Sequence, residues 1–207
     1  MNIVMLTKDF IATHYACVGG VEWALSISRD MCDVWDALIK EKKLGWLIWV
    51  ITRKNVFTHR QLVKLVCRLF RETKLLDGRT VWDLFQDDAY RAYLELVEQY
   101  ANEAMPYLEY SALWHTNMPP AVPFPTGSSP ECLANYYICQ ATNAFIINQV
   151  SVGIVVLNIF RASVAMANKP ITSIQNTIDQ NIEGAGMNSI NEQIRIISEC
   201  GCPFQKS

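Results

Sequence analysis

The stretch Thr58-His59-Arg60-Gln61-Leu62-Val63-Lys64-Leu65-Val66-Cys67-Arg68-Leu69-Phe70-Arg71 decides the fold class. Thr58 and Gln61 stand at the spacing of a capping box, in which two side chains satisfy amides that the first helical turn leaves unbonded. Leu62, Val63, Val66, Leu69 and Phe70 then fall at i, i+1, i+4, i+7 and i+8, one face of a helix. Gly78 interrupts, and Thr80 with Asp83 marks a second start. With Asp88 as the expected N-cap, Ala89, Tyr93, Leu96, Val97, Tyr100 and Ala104 line a third apolar face.

Upstream, Thr7 to Cys17 predicts a first helix, stopped at Gly19-Gly20, where glycine takes the left-handed conformation without steric cost. Val21 to Ser28 continues helically, and Asp30 opens a helix through Ile39. Leu44 to Thr52, with Trp46, Leu47, Ile48, Trp49 and Val50, is too short for its pattern to separate strand from helix. Its helical flanks favour a short core helix.

Downstream, residues His115 to Glu131 hold five of the eight prolines, Pro119, Pro120, Pro123, Pro125 and Pro130. Proline lacks an amide donor and fixes φ, so this is a long loop rather than a helix. It divides residues 1–114 from residues 132–207, two helical halves expected to pack as one domain. Cys132 to Asn168 carries one charge, Arg161. Asn148, Gln149 and Asn158 interrupt its most apolar part, Ala144 to Phe160, which argues for core helices and against a membrane span. Ile171 to Ile182 and Ile190 to Glu199 predict the last helices. The latter opens on a capping box from Ser189 to Glu192, with Ile190, Ile194 and Ile197 facing one way. The fold expected is all-α, a compact multi-helix domain of eight to ten helices with a long Pro-rich loop between its halves.

Composition agrees. The 207 residues are 51% apolar and 18% charged, enough for one sizeable core and incompatible with disorder. A net charge of −2 gives no reason to expect a nucleic-acid partner. Met1 to Phe10 lacks the features of a signal peptide, so a cytoplasmic location is expected. The seven cysteines, 17, 32, 67, 132, 139, 200 and 202, form no C-x-x-C. Reduced thiols, no metal and no cofactor are expected.

Charge is unevenly placed. From Lys40 to Lys74 ten Lys/Arg face two Glu, a net +8; from Asp77 to Glu109 eight acids face two Arg, a net −6. Arg60, Lys64, Arg68 and Arg71 form a stripe at helical spacing. It is either a face for an acidic partner or a solvated face compensated by the acidic helix beside it. The stripe, together with Met118, Val122 and Phe124 of the Pro-rich loop, is the expected partner-binding surface. His14 lies three residues before Cys17 and could meet it on one helix, the starting point for a Cys/His hydrolase. Neither a nucleophile elbow nor a phosphate-cradling glycine loop accompanies the pair.

Phe10-Ile11-x-x-His14-x-Ala16-Cys17-x-x-Gly20-x-x-Trp23-Ala24 resembles the opening of a helical immunity protein family of bacterial polymorphic toxin systems, with relatives among phage open reading frames. Trp46-Leu47-Ile48-Trp49 is similar to its tryptophan-leucine-rich helix, and Gly78-Arg79-Thr80-Val81-Trp82-Asp83 to its next elements. Asn191-Glu192-Gln193-x-Arg195-Ile196-Ile197 with Pro203-Phe204 is similar to its closing pattern. The chain departs from the family at Asp87-Asp88-Ala89, where an acidic-x-arginine element is usual. The resemblance implies a non-enzymatic inhibitor that binds a protein target, a toxin or a subunit of a defence complex, as an immunity protein or an anti-CRISPR does. A small enzyme and a structural scaffold module are the alternatives.

Overall fold

The computed structural model describes residues 5–102, 106, 119, 129–146, 152–167 and 185–204. Among these the chain forms nine α-helices and one 3-10 turn, with no strand and two isolated bridges, Leu6–Asp30 and Lys74–Thr80. The helices are α1 (Thr7–His14), α2 (Val18–Ile27), α3 (Met31–Lys40), α4 (Leu44–Ile51), α5 (His59–Glu72), α6 (Asp88–Ala101), α7 (Pro130–Ile146), α8 (Val152–Met166) and α9 (Ala185–Ser198). The 3-10 turn, Val81–Leu84, lies between α5 and α6. The all-α expectation holds, and Leu44–Ile51 is the short helix its flanks favoured.

Helix α5 sits at the centre because its apolar residues cover more than one face. Val63, Leu65, Val66, Leu69 and Phe70 are all buried, and the helix packs against α6, α8, α9 and the 3-10 turn. Its start is the capping box read from sequence: Gln61 N donates to Thr58 Oγ1 at 3.2 Å, and Thr58 N donates to Gln61 Oε1 at 2.8 Å. Behind α5, Val152, Val155, Val156, Ile159 and Ala162 of α8 are buried against α7, α9 and α4. One continuous apolar core joins these helices to Phe10, Trp35 and Leu47 from α1, α3 and α4. Full burial of each large apolar side chain stabilises the fold by about 1.5–3 kcal/mol, before conformational entropy is charged against it.

Several boundaries differ from the sequence expectation. The first helix ends at His14, and the left-handed residue is Tyr15 (φ 53°), whose amide donates to Ile11 O. Gly19 and Gly20 instead lie in the first turn of α2. Bridging between the starts of α1 and α3, where Thr7 N donates to Arg29 O at 2.9 Å and Met31 N to Met5 O at 3.1 Å, fixes where α1 begins.

The N-cap of α6 is Asp87, whose Oδ1 accepts from Ala89 N at 2.8 Å. Asp88 points outward and pairs with Arg91. The buried face of α6 is accordingly Tyr90, Tyr93, Leu94, Val97, Tyr100 and Ala101. Ala89 is exposed because the larger Tyr90 ring takes the core position, stacked on Phe85 at 6.2 Å. Helix α7 begins at Pro130, one residue before the expected end of the loop: proline is tolerated where the amide would be unbonded anyway, and Ser129 Oγ accepts from Cys132 N at 3.3 Å.

Helix α9 begins at Ala185, so Ser189 is an interior residue and not a cap. It is buried, and its hydroxyl accepts from Gln193 Nε2 at 2.9 Å. Ile190, Ile194 and Ile197 are all buried as expected. The helix expected over Ile171 to Ile182 and the Pro-rich loop, apart from Pro119 and the residues from Ser129 onward, lie outside the described residues. Among the described residues no helix is long and apolar enough to cross a membrane.

The cap assignment is testable by urea unfolding. Asp87→Ala should cost about 1 kcal/mol and Asp88→Ala only a few tenths, because only the first removes a side chain bonded to a first-turn amide. Equal losses would return the cap to Asp88.

Candidate functional site

Helices α1 to α4 converge around an apolar cavity of about 510 Å³. Its aromatic walls are Phe10, Trp23, Trp46 and Trp49, and its room comes from the small residues Ala16, Gly20, Ala24 and Gly45. The rings brace one another: Trp23 lies 5.1 Å from Trp46, and Phe10 meets Trp49 edge-on at 5.9 Å. Phe204, beyond α9, meets Phe10 edge-on at 5.2 Å. Trp23 Nε1 donates to Glu41 Oε2 at 3.1 Å, which fixes the orientation of that indole. Tyr15, one of the lining residues, is 91% exposed, and Val18, next in sequence to the lining residue Cys17, is 75% exposed. The volume falls in the range of ordinary ligand pockets, and tryptophan and tyrosine walls are the usual lining of sites that hold a large apolar group.

Two cations border the aromatic wall. Lys43 Nζ lies 5.4 Å from the centre of the Trp46 ring, and the Arg53 guanidinium 5.0 Å from that of Trp49. Arg53 Nε donates to Trp49 O at 2.9 Å, and Nη2 to Thr52 Oγ1 at 3.2 Å, which secures the end of α4. His14, against Phe10 at 4.6 Å, is held below the usual imidazole range by burial and then by the Arg53 charge. The sequence reading missed this site, although Lys43-x-x-Trp46-x-x-Trp49-x-x-x-Arg53 places cation, indole, indole and cation on one side of a helix.

The expected α5 stripe is differently occupied. Arg68 makes a bidentate pair with Glu72 (Nε–Oε1 2.7 Å, Nη2–Oε2 2.8 Å) and also bonds Glu199 beyond α9. Glu199 in turn pairs with Arg195 at 2.7 Å. The Arg71 guanidinium lies 3.4 Å from the Trp82 ring centre, and its Nη2 bonds Glu98 of α6 at 2.9 Å. These two arginines therefore tie α5 to α9 and α6, the compensated arrangement weighed from sequence. Arg60 lies over the Tyr100 ring at 4.8 Å, and Lys64 is exposed, beside Arg60 in a depression with Thr58 and Asn102. Met118, Val122 and Phe124 lie outside the described residues.

The Cys/His pair does not share a helix, because α1 ends at His14 while Cys17 is the N-cap residue of α2. All seven cysteines are unbridged. Burial, and then hydrogen bonding with Cys202, pushes the Cys32 thiol up to about 12, and burial pushes Cys139 to about 12. Among the described residues no group of three or more His, Cys, Asp or Glu is placed to hold a metal ion. No family model, curated protein or solved structure matches the chain.

Two expectations follow from these contacts. Arg71→Ala should destabilise the protein by about 1 kcal/mol and Arg68→Ala should lower its melting temperature, since each removes a charged hydrogen bond that reaches beyond α5. Unchanged melting temperatures would mean that the pairs do not hold the helices together.

The second concerns acid. His14 and His59, the latter against Tyr100 OH at 3.3 Å, both have lowered pKa values, with burial the first cause in each. The unfolded chain therefore takes up protons first, so stability should fall as pH drops below about 6.5. His59→Gln should flatten the dependence between pH 6.5 and 5 in calorimetry. An equally steep dependence in that variant would remove His59 as a source.

Proposed function

We propose that the chain works by binding and not by turnover, as a stoichiometric inhibitor that occludes a protein target. The target is a bacterial toxin or a subunit of a defence complex, and the chain is either an immunity protein or a phage-encoded blocker. The observation that carries this reading is the aromatic cavity walled by α1 to α4, with Tyr15 exposed among its lining residues and Val18 exposed beside the lining residue Cys17 in sequence. Exposed apolar groups around a concave apolar site mark interaction surfaces, and aromatic residues there supply most of the energy of association. The resemblance to the immunity family supports the choice of target class.

The test is capture from a bacterial host lysate with the tagged chain, followed by mass spectrometry and reconstitution of the complex. The wild type should retain one protein in equimolar amount. Tyr15→Ala combined with Val18→Asp should weaken the reconstituted complex at least tenfold, about 1.4 kcal/mol, with little change in melting temperature. Cys17→Ser should keep both affinity and cellular activity. If Cys17→Ser abolishes cellular activity while target affinity persists, the chain is an enzyme and the inhibitor reading fails.

A further inference from the structure

We infer that the group received by the α1–α4 cavity belongs to a short acidic peptide segment: one aromatic or bulky aliphatic anchor with a carboxylate about two residues away on each side. The inference rests on the binding reading above and names the partner's chemistry.

It begins with the cations of the basic stretch. Arg68 and Arg71 are paired within the fold. Lys40, Lys42, Lys43, Arg53 and Lys54 make no ion pair among the described residues, and all lie in or beside the turns at the two ends of α4. Glu41, the one acid in those turns, is engaged with the Trp23 indole. Five cations against one acid leave +4 around a helix whose indoles line the cavity. Lys43 and Arg53 are held over those indoles, one near each end of the wall.

Spacing supplies the rest. Helix α4 has eight residues, about 12 Å at 1.5 Å per residue, so the backbone positions of its flanking cations are roughly 12–15 Å apart. An extended segment rises about 3.4 Å per residue, so carboxylates two positions before and two after an anchor are roughly 14 Å apart. Such a segment seats its anchor among Phe10, Trp46 and Trp49 while its acids meet Lys43 and Arg53. A small molecule with one carboxylate reaches only one end. The apolar group supplies the affinity, and the charges set encounter rate and register.

The experiment uses the full chain labelled with nitrogen-15 and reads its six tryptophan indole N–H signals. The probe is a blocked pentapeptide of aspartate, glutamate, phenylalanine, glutamate and aspartate. Its controls have a central alanine or four flanking lysines, and a short single-stranded oligonucleotide is titrated in parallel. The acidic phenylalanine peptide should shift Trp23, Trp46 and Trp49 selectively and bind at least tenfold tighter than either control. Its affinity should fall as salt rises from 50 to 500 mM, and Lys43→Gln with Arg53→Gln should weaken it about tenfold.

No shift, or equal binding by either control, overturns the inference. Tighter binding of the oligonucleotide at the same indoles overturns it in favour of a nucleic acid. If the peptide binds as expected but lysate capture yields no equimolar partner, the inhibitor reading fails alone. If a partner is captured with an affinity indifferent to Lys43→Gln and Arg53→Gln, the acidic-segment inference fails alone.

Discussion

Everything else in this fold depends on the burial of α5 from several directions at once. Val63, Val66, Leu69 and Phe70 are fully buried, and Leu65 nearly so. One helix can lose that much apolar surface only if others cover it on different sides. Helix α6 and the 3-10 turn do so from sequence nearby, while α8 and α9 do so from far along the chain. The charged residues of α5 are consequently trapped at the seams. Arg71 reaches across one seam to Glu98 and lies on Trp82, and Arg68 reaches across another to Glu199. Two of the four cations of the stripe, Arg68 and Arg71, become cross-links in the assembled protein, while Lys64 stays exposed.

The same geometry decided what could be read in advance. The Thr58 and Thr80 capping boxes were legible because every bond in them closes within four residues. The existence of α3 to α6 followed from such local signals and from apolar periodicity. Boundaries failed where packing or a side-chain bond chose between near-equivalent neighbours. Tyr90 displaced Ala89 from the core because Phe85 offered a ring to stack on, and Ser189 was drawn inside α9 where Gln193 could bond it. Tyr15, four residues before the two glycines, takes the left-handed position that ends α1.

The candidate site was less legible than the fold, for a related reason. Its walls come from four helices, and no single stretch carries its signature. Trp46 and Trp49 were read as core because tryptophan on a short apolar helix usually is, and both remain half-buried against the core. The arginine stripe attracted the functional reading because its acidic partners sit up to 131 positions away, as Arg68 and Glu199 do. Only when those partners are in place do Lys43 and Arg53 stand out as cations resting on indoles with no carboxylate partner among the described residues.

The contact between Phe10 and Phe204 ties the cavity wall to a residue made much later. A ribosome adding 5–20 residues per second needs about 10–40 s to cover the roughly 190 residues between them. Over that interval the nascent chain presents Phe10 without the ring that packs edge-on against it. Protection of Phe10 by this contact therefore comes only once Phe204 has been added. Chaperones that recognise bare aromatic surface have that interval in which to meet a ring that later lines the cavity.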